Sequence, residues 1–459
     1  MNKDAIISKL SGEVQELKSL LRAALGRIAE LESQLKSNSQ NSSRPPSSDL
    51  VKPKRKRGTG LPKKKKANGG QKGHEGSTLK MVAQPDEVEQ LRPDRCSCGK
   101  RLLRQEMAVH TRRQVFDLPE PKLEVIEYQQ MSCCCPDCGE VKLGQFPDSV
   151  KAPVQYGNGV RALVNLLSVK CQLSYQNIRE LFDDLFEQPI NDSTIQSALR
   201  QANVKCEAVE RSIRDQLFAS ANIHGDETGL QIKNKRQWLH VLCNDKWTYL
   251  FTHEKRGSQA LEECAPELFD YQGNLVHDCW SSYWKIKSAK HSLCNPHLLR
   301  ELTAQIEQGR KWAAQMHQLL LQLYQKYCQG EHIHRRSHAW RKFQAICKAA
   351  FEEEPPPIKG KKGRPKKTKG RNLAERLFKY QTEVLRFVLE EDVPFSNNQA
   401  ERDLRPAKGK QKVAGCFRTQ AGAQRYARLQ GVFSTWRKQG HNAFRSLKAI
   451  LDGQQFRFA

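Results

Sequence analysis

The chain of 459 residues contains no run of about 18 apolar residues, the minimum for a helix that crosses a bilayer. Its opening residues are polar and amphipathic, so no secretion signal is expected. Acidic side chains are almost missing from three stretches. Residues 51–76 hold ten Lys and Arg against one Glu, residues 359–371 hold eight against none, and residues 402–457 hold thirteen against two. These stretches account for the net charge of +27, and the rest of the chain is close to neutral. Basic regions on a neutral body fit phosphate-backbone contacts better than a general solubility device. The expected compartment is the cytoplasm and the expected partner is nucleic acid, with no membrane. Fifteen cysteines, an odd number, then read as reduced thiols and metal ligands rather than a disulfide framework. The length corresponds to roughly three domains.

Residues 1–36 carry a strict heptad. Ile7, Val14 and Ile28 fall at a, with Leu10, Leu17 and Leu31 at d, the arrangement that favours a parallel two-stranded coiled coil. The spacing predicts a zipper that brings copies together as a homodimer or higher oligomer. Its plainer alternative is an amphipathic helix docked on its own body. Residues 37–90, with "SSRPPSSD" and "KPKRKRGTGLPKKKK", have the composition of a basic linker that stays disordered until it meets DNA. Residues 91–150 hold "CSCGK" and "CCCPDCGE" around two β-rich runs, "TRRQVFDLPE" and "KLEVIEYQQMSC". Paired cysteines on Gly-ended turns predict a structural Zn²⁺ held by Cys96, Cys98, Cys135 and Cys138, with Cys133 and Cys134 as alternatives to Cys135. Residues 151–214 read as short helices with Asn191 or Asp192 as an N-cap. They form either a DNA-binding helix-turn-helix or core packing.

From residue 215 the pattern changes to strands. "LFASANIHGDETG" is an apolar run closing on Asp226, followed by two short strands, a helix over about 258–268, and an apolar strand closing on Asp278. Three antiparallel strands, a helix and a parallel strand make the opening of a ribonuclease-H-like α/β core, here over 215–330. The expected fold class is therefore multidomain α+β. A helical insertion over 331–393 carries "PPPIKGKKGRPKKTKGR", in which Arg364 sits in a Gly-Arg-Pro core similar to minor-groove-binding arms. Residues 394–459 return to the core as helices. There "PFSNNQAERDLRP" offers Ser396 and Gln399 as a capping box and sets Glu401 in a helix's first turns. The plain role for Glu401 is an i,i+4 pair with Arg405. Set beside Asp226 and Asp278, it instead completes a carboxylate triad for two Mg²⁺ or Mn²⁺ ions. Arg402, Arg405, Lys408, Lys410 and Lys412 would then grip DNA phosphates. Glu227 is expected to point away from the cluster.

"GDETG", "HDCWSSYW" and "NNQAERDLRP", with "SSRPPSSD", "GGQKGHEGSTL" and the cysteine module, resemble the insertion-sequence-66 family of DDE transposases along nearly the whole chain. The resemblance implies an aspartate-aspartate-glutamate triad at Asp226, Asp278 and Glu401. It also implies binding to terminal inverted repeats, cleavage to free 3′-hydroxyls, strand transfer into target DNA and help from small accessory proteins. Two rivals remain. His297 and Arg300 followed by Tyr324 or Tyr327 mimic a tyrosine recombinase, and a non-catalytic DNA-binding regulator would keep the zipper, zinc and basic segments. Cys294 and His297 offer two ligands for a further metal.

Overall fold

A computed structural model describes residues 10, 12–15, 17, 41, 79–102, 107–356 and 367–458. Of the heptad, Leu10, Val14 and Leu17 are described, helical and exposed; its other core positions, most of the linker and Arg364 lie outside the described residues.

The cysteine module forms one small antiparallel hairpin, β1 (Ser132–Cys134) and β2 (Val141–Leu143). Of the two runs expected as strands, only the end of the second enters a ladder. Val115, Phe116, Val125 and Ile126 stay exposed. Alternating apolar residues fix a face, but a strand also needs a partner to bury that face against.

Helices α1 (Asn158–Asn165), α2 (Tyr175–Phe186), α3 (Asp192–Lys205) and α4 (Glu207–Phe218) come next. Asn191 caps α3 as expected, accepting from the Thr194 N–H at 2.9 Å. Ile178, Phe182, Ile195 and Ile213 belong to the same hydrophobic core as Leu239, Val241 and Leu250 of the sheet. These helices therefore share a core with the strands instead of enclosing one of their own.

The sheet consists of β3 (Asn222–Ile232), β4 (Lys235–Cys243), β5 (Thr248–His253), β6 (Asn274–His277) and β7 (Lys290–Leu293), in the order β5-β4-β3-β6-β7. The first three are antiparallel, and β6 and β7 run parallel to β3. Helix α5 (Ser258–Cys264) sits in the crossover, giving the expected succession of elements. Lys233 and Asn234, with φ of 50° and 60°, make the two-residue turn that matches strand twist.

Helices α6 (Asn295–Ile306), α7 (Lys311–Cys328), α8 (His338–Glu353), α9 (Lys369–Lys379) and α10 (Gln381–Leu389) enclose a second core around Leu302, Met316, Phe343 and Phe387. Three helices then return to the sheet: α11 (Asn398–Ala414), α12 (Gln420–Lys438) and α13 (Ala443–Leu451). α11 packs over β3 and β4, and α12 lies against β5. A Cβ on Gly431 would stand 2.9 Å from the Thr248 carbonyl oxygen, so glycine is what lets α12 approach that strand.

Candidate active site

β3 and β6 pair in parallel as far as His224 and Val276. Two residues beyond that pair stand Asp226, still within β3, and Asp278, the first residue after β6. Neighbouring strands lie about 4.8 Å apart, which puts the two acids within each other's field. Burial pushes the Asp226 carboxyl well above the usual carboxylate range, and the charges of Glu227, Asp278 and, less strongly, Glu401 add to that. Asp226 does not close its strand, contrary to expectation: β3 continues to Ile232 because β4 supplies a ladder along its full length. Each Asp turns one oxygen onto nearby backbone, Asp226 accepting from the Glu227 N–H at 2.8 Å and Asp278 from the Trp280 N–H at 3.0 Å. Cys279, next to Asp278, holds φ at 77°, a strained value for a side-chain-bearing residue.

Glu401 enters from the first turn of α11. The expected Ser396–Gln399 capping box does not form. Asn397 is the N-cap, and its side chain is engaged by β3 instead. Its Nδ2 donates to the Gly225 carbonyl at 2.8 Å, and its Oδ1 lies 3.0 Å from His224 Nδ1. Gln399 donates to Asp403. Nor does Glu401 pair with Arg405. Its Oε1 lies 3.8 Å from both His297 Nε2 and Arg300 Nη2, which project from α6. Burial, reinforced by Arg300 and Arg376, pushes the His297 imidazole down to about 3, so it faces Glu401 as a neutral ring.

Glu227, expected to point away from the cluster, shares the Gly225 face of β3 and is held in a network there. Its carboxylate is buried, accepts from Arg256 Nε at 2.7 Å and from the Tyr283 hydroxyl at 3.0 Å. Burial raises its pKa, the Asp278 charge raises it further, and Arg256 opposes both. The Arg256 guanidinium lies 3.7 Å from the centre of the Trp280 ring. Gly225 makes room for this network, since a Cβ there would meet the Tyr283 ring at 2.8 Å. Strand alternation assigns Glu227 a face, but not the partners that other segments bring to that face. Its signal was local: the Gly and Glu flanking Asp226 in "GDETG", and the aromatics after Asp278.

The family model for the Transposase IS66 family matches residues 153–425, a span that includes Asp226, Asp278 and Glu401. The chain belongs to that family. A model of a family of unknown function matches residues 2–80. The search of curated proteins gave no match. Membership makes this chain a transposase by family, which implies DNA as its class of partner and suggests the use of divalent metal. No described helix is long and apolar enough to cross a membrane.

The basic residues of this IS66-family chain divide. Arg402, Arg405, Lys408 and Lys412 are exposed on α11. Lys408 also donates to the Gly229 carbonyl at 2.8 Å, which anchors α11 to β3. Lys410, expected to face DNA, is buried. Its Nζ donates to the carbonyls of Ser168 at 3.0 Å and Leu173 at 2.7 Å, and burial lowers its pKa to about 8. Orphan carbonyls after a helix end attract such a cation, and that use removes it from the surface.

The cysteines form two turns, each closed by a left-handed glycine, Gly99 with φ 87° and Gly139 with φ 73°. The Cys96 thiol is held below its usual value by hydrogen bonds from Cys98, and Cys135 by those from Cys138 and Asp137. Among the described residues, only Cys294, His297 and Glu401 bring three ligand-bearing side chains within 4.8 Å of one another. The four module cysteines and the three acids are not gathered that closely. Tyr324 and Tyr327 pack on Phe395 and Phe387, while His297 and Arg300 face Glu401. The recombinase-like set is therefore divided between two environments.

Proposed function

We propose that this chain binds the terminal inverted repeats of its element and catalyses DNA cleavage and strand transfer through Asp226, Asp278 and Glu401. The observation that supports the reading is that Asp226 and Asp278 each stand two residues beyond the last pair of the parallel strands β3 and β6, with the charges of Asp278 and Glu401 both acting on Asp226. The strand order β5-β4-β3-β6-β7 supports a ribonuclease-H-like core. The three acids offer oxygen only, a donor set that suits Mg²⁺ or Mn²⁺, and the raised Asp226 pKa marks a site short of positive charge. Bound there, the metal supplies activation of the attacking oxygen and stabilisation of the leaving one.

This chain's own groups do the positioning. His297 and Arg300 orient Glu401. Arg256, held by Glu227 and stacked on Trp280, steadies the segment after Asp278. Arg402, Arg405, Lys408 and Lys412 bind backbone phosphates, and Arg364 extends that grip. In cleavage, water attacks the phosphodiester at the element end, the 3′-oxygen departs and takes up a proton. In transfer, that 3′-hydroxyl attacks a target phosphodiester and releases a target 3′-hydroxyl. Zn²⁺ at Cys96, Cys98, Cys135 and Cys138 folds the N-terminal module, the zipper pairs two copies, and accessory proteins of the element assist in the cytoplasm, at the nucleoid.

Asp226→Asn, Asp278→Asn and Glu401→Gln test the reading on inverted-repeat DNA. Each should bind that DNA and fail to cut it with Mg²⁺ or Mn²⁺. Cutting at the wild-type rate by any of the three would remove that residue from the triad.

A further inference from the structure

Cys294 is the N-cap of α6, and His297 follows three residues later, so both project from the same first turn. Glu401 reaches the same place from the first turn of α11, and one ligand atom of each lies within 4.8 Å of the other two. His297 Nε2 and Glu401 Oε1 stand 3.8 Å apart. Two ligands on a tetrahedral zinc are separated by about 3.5 Å, given bond lengths of about 2.0–2.3 Å. Closing the site therefore takes side-chain adjustments of about 1 Å.

Two atoms of this group lack hydrogen-bond partners. His297 Nδ1 and Glu401 Oε1 are buried polar atoms with no hydrogen-bond partner, and native interiors rarely leave such atoms unsatisfied. Cys294 is buried beside them, its sulfur accepting from the Asn397 N–H at 3.1 Å and from the backbone N–H of His297. Sulfur and imidazole nitrogen select zinc, whereas the oxygens of Asp226 and Asp278 select Mg²⁺ or Mn²⁺. Three protein ligands leave a fourth position open. Arg300 opposes a cation here, but its 3.8 Å contact to Glu401 is no hydrogen bond, and its Nε is held separately by the Pro296 carbonyl.

We propose that Cys294, His297 and Glu401 bind Zn²⁺, and that the bound ion withdraws Glu401 from Asp226 and Asp278 and arrests cleavage. On binding, the Cys294 thiol proton passes to solvent, and thiolate plus carboxylate balance the dication. The binding half stands on this geometry alone, while the inhibitory half rests on the proposed role of Glu401.

Co²⁺ titration of the reduced full-length chain tests the binding half through thiolate-to-cobalt absorption. The Cys135→Ser/Cys138→Ser double variant should keep a thiolate-bound cobalt, and Cys294→Ser and His297→Gln should bind that ion at least ~10-fold more weakly. Unchanged cobalt binding in His297→Gln, with its circular dichroism unchanged, would overturn the site even if Cys294→Ser fails to fold. The inhibitory half is read as zinc inhibition of Mn²⁺-supported cleavage, each protein normalised to its own zinc-free rate. Equal zinc sensitivity of wild type and His297→Gln would overturn it. A wild-type protein that binds cobalt but never cleaves would sink the function reading and the inhibitory half together, leaving the binding half standing.

Discussion

Asn397 fastens the helix of Glu401 to the strand of Asp226. Its Nδ2 donates to the carbonyl of Gly225, the residue just before Asp226, at 2.8 Å, and the Asn397 side chain is fully buried. Asn397→Ala would leave the Gly225 carbonyl and His224 Nδ1 without partners. The expected loss is about 1–3 kcal/mol of stability. Freeing the head of α11 should also slow cleavage by about 100-fold, the scale of a 1 Å misplacement, with inverted-repeat binding kept. Denaturant melts and a cleavage time course check both, and wild-type cleavage by a folded Asn397→Ala protein would refute the coupling.

Glu227→Gln preserves shape but removes the partner of Arg256. The substituted protein should lose about 1–3 kcal/mol, since a hydrogen bond to a charged group is broken and part of Arg256 remains exposed. Cleavage should fall between the wild-type rate and that of the triad variants. A variant as active and as stable as wild type would show that Arg256 and Trp280 hold their places unaided.

The raised pKa of Asp226 sets a pH dependence for the metal-free protein. The folded state keeps that proton to higher pH than the unfolded state, whose Asp ionises near ~3.9. Ionisation of Asp226 therefore subtracts stability as pH rises above that range. Asp226→Asn should melt at a higher temperature than wild type at neutral pH, and the two should converge near pH ~4. The buried His224 and His240, pushed down to about 4, destabilise both proteins equally as pH falls below ~6.5, so they cancel in the comparison. Divalent-ion affinity of the wild type should climb over the same rise in pH. Identical melting curves for the two proteins at neutral pH would count against the burial of a carboxylate charge.

The cysteine turns predict a zinc that depends on Cys135 and Cys138. Elemental analysis of protein purified under reducing conditions should find one zinc per chain fewer in the Cys135→Ser/Cys138→Ser variant than in wild type, and Cys294→Ser should keep the zinc of this module. Equal zinc in all three proteins would exclude this module as the site.

Leu10, Val14 and Leu17 lie helical and exposed at heptad positions, with side-chain-bearing surface left for a second copy. A chain beginning at Asn38 should lose concentration-dependent self-association in sedimentation equilibrium. If it associates as the full chain does, another surface makes the dimer.

The sequence by itself determined the order of elements. Apolar and aromatic runs mark β3, β4, β5 and β6, and Asn191 before a helix marks α3, because propensity and capping are local properties. Asp226, Asp278 and Glu401 stood out for the same reason, each lying in a specific local motif. What stands between distant segments was not. The sequence suggested a capping box for Ser396 and Gln399, yet Asn397 binds β3. It suggested surface for Lys410, yet Lys410 answers carbonyls of Ser168 and Leu173. It set Glu227 facing away from the cluster, but could not supply Arg256 and Tyr283 as its partners. Only tertiary structure decided these, because a polar side chain goes where burial would otherwise leave a partner unsatisfied, and that partner is fixed by packing between segments far apart in the chain.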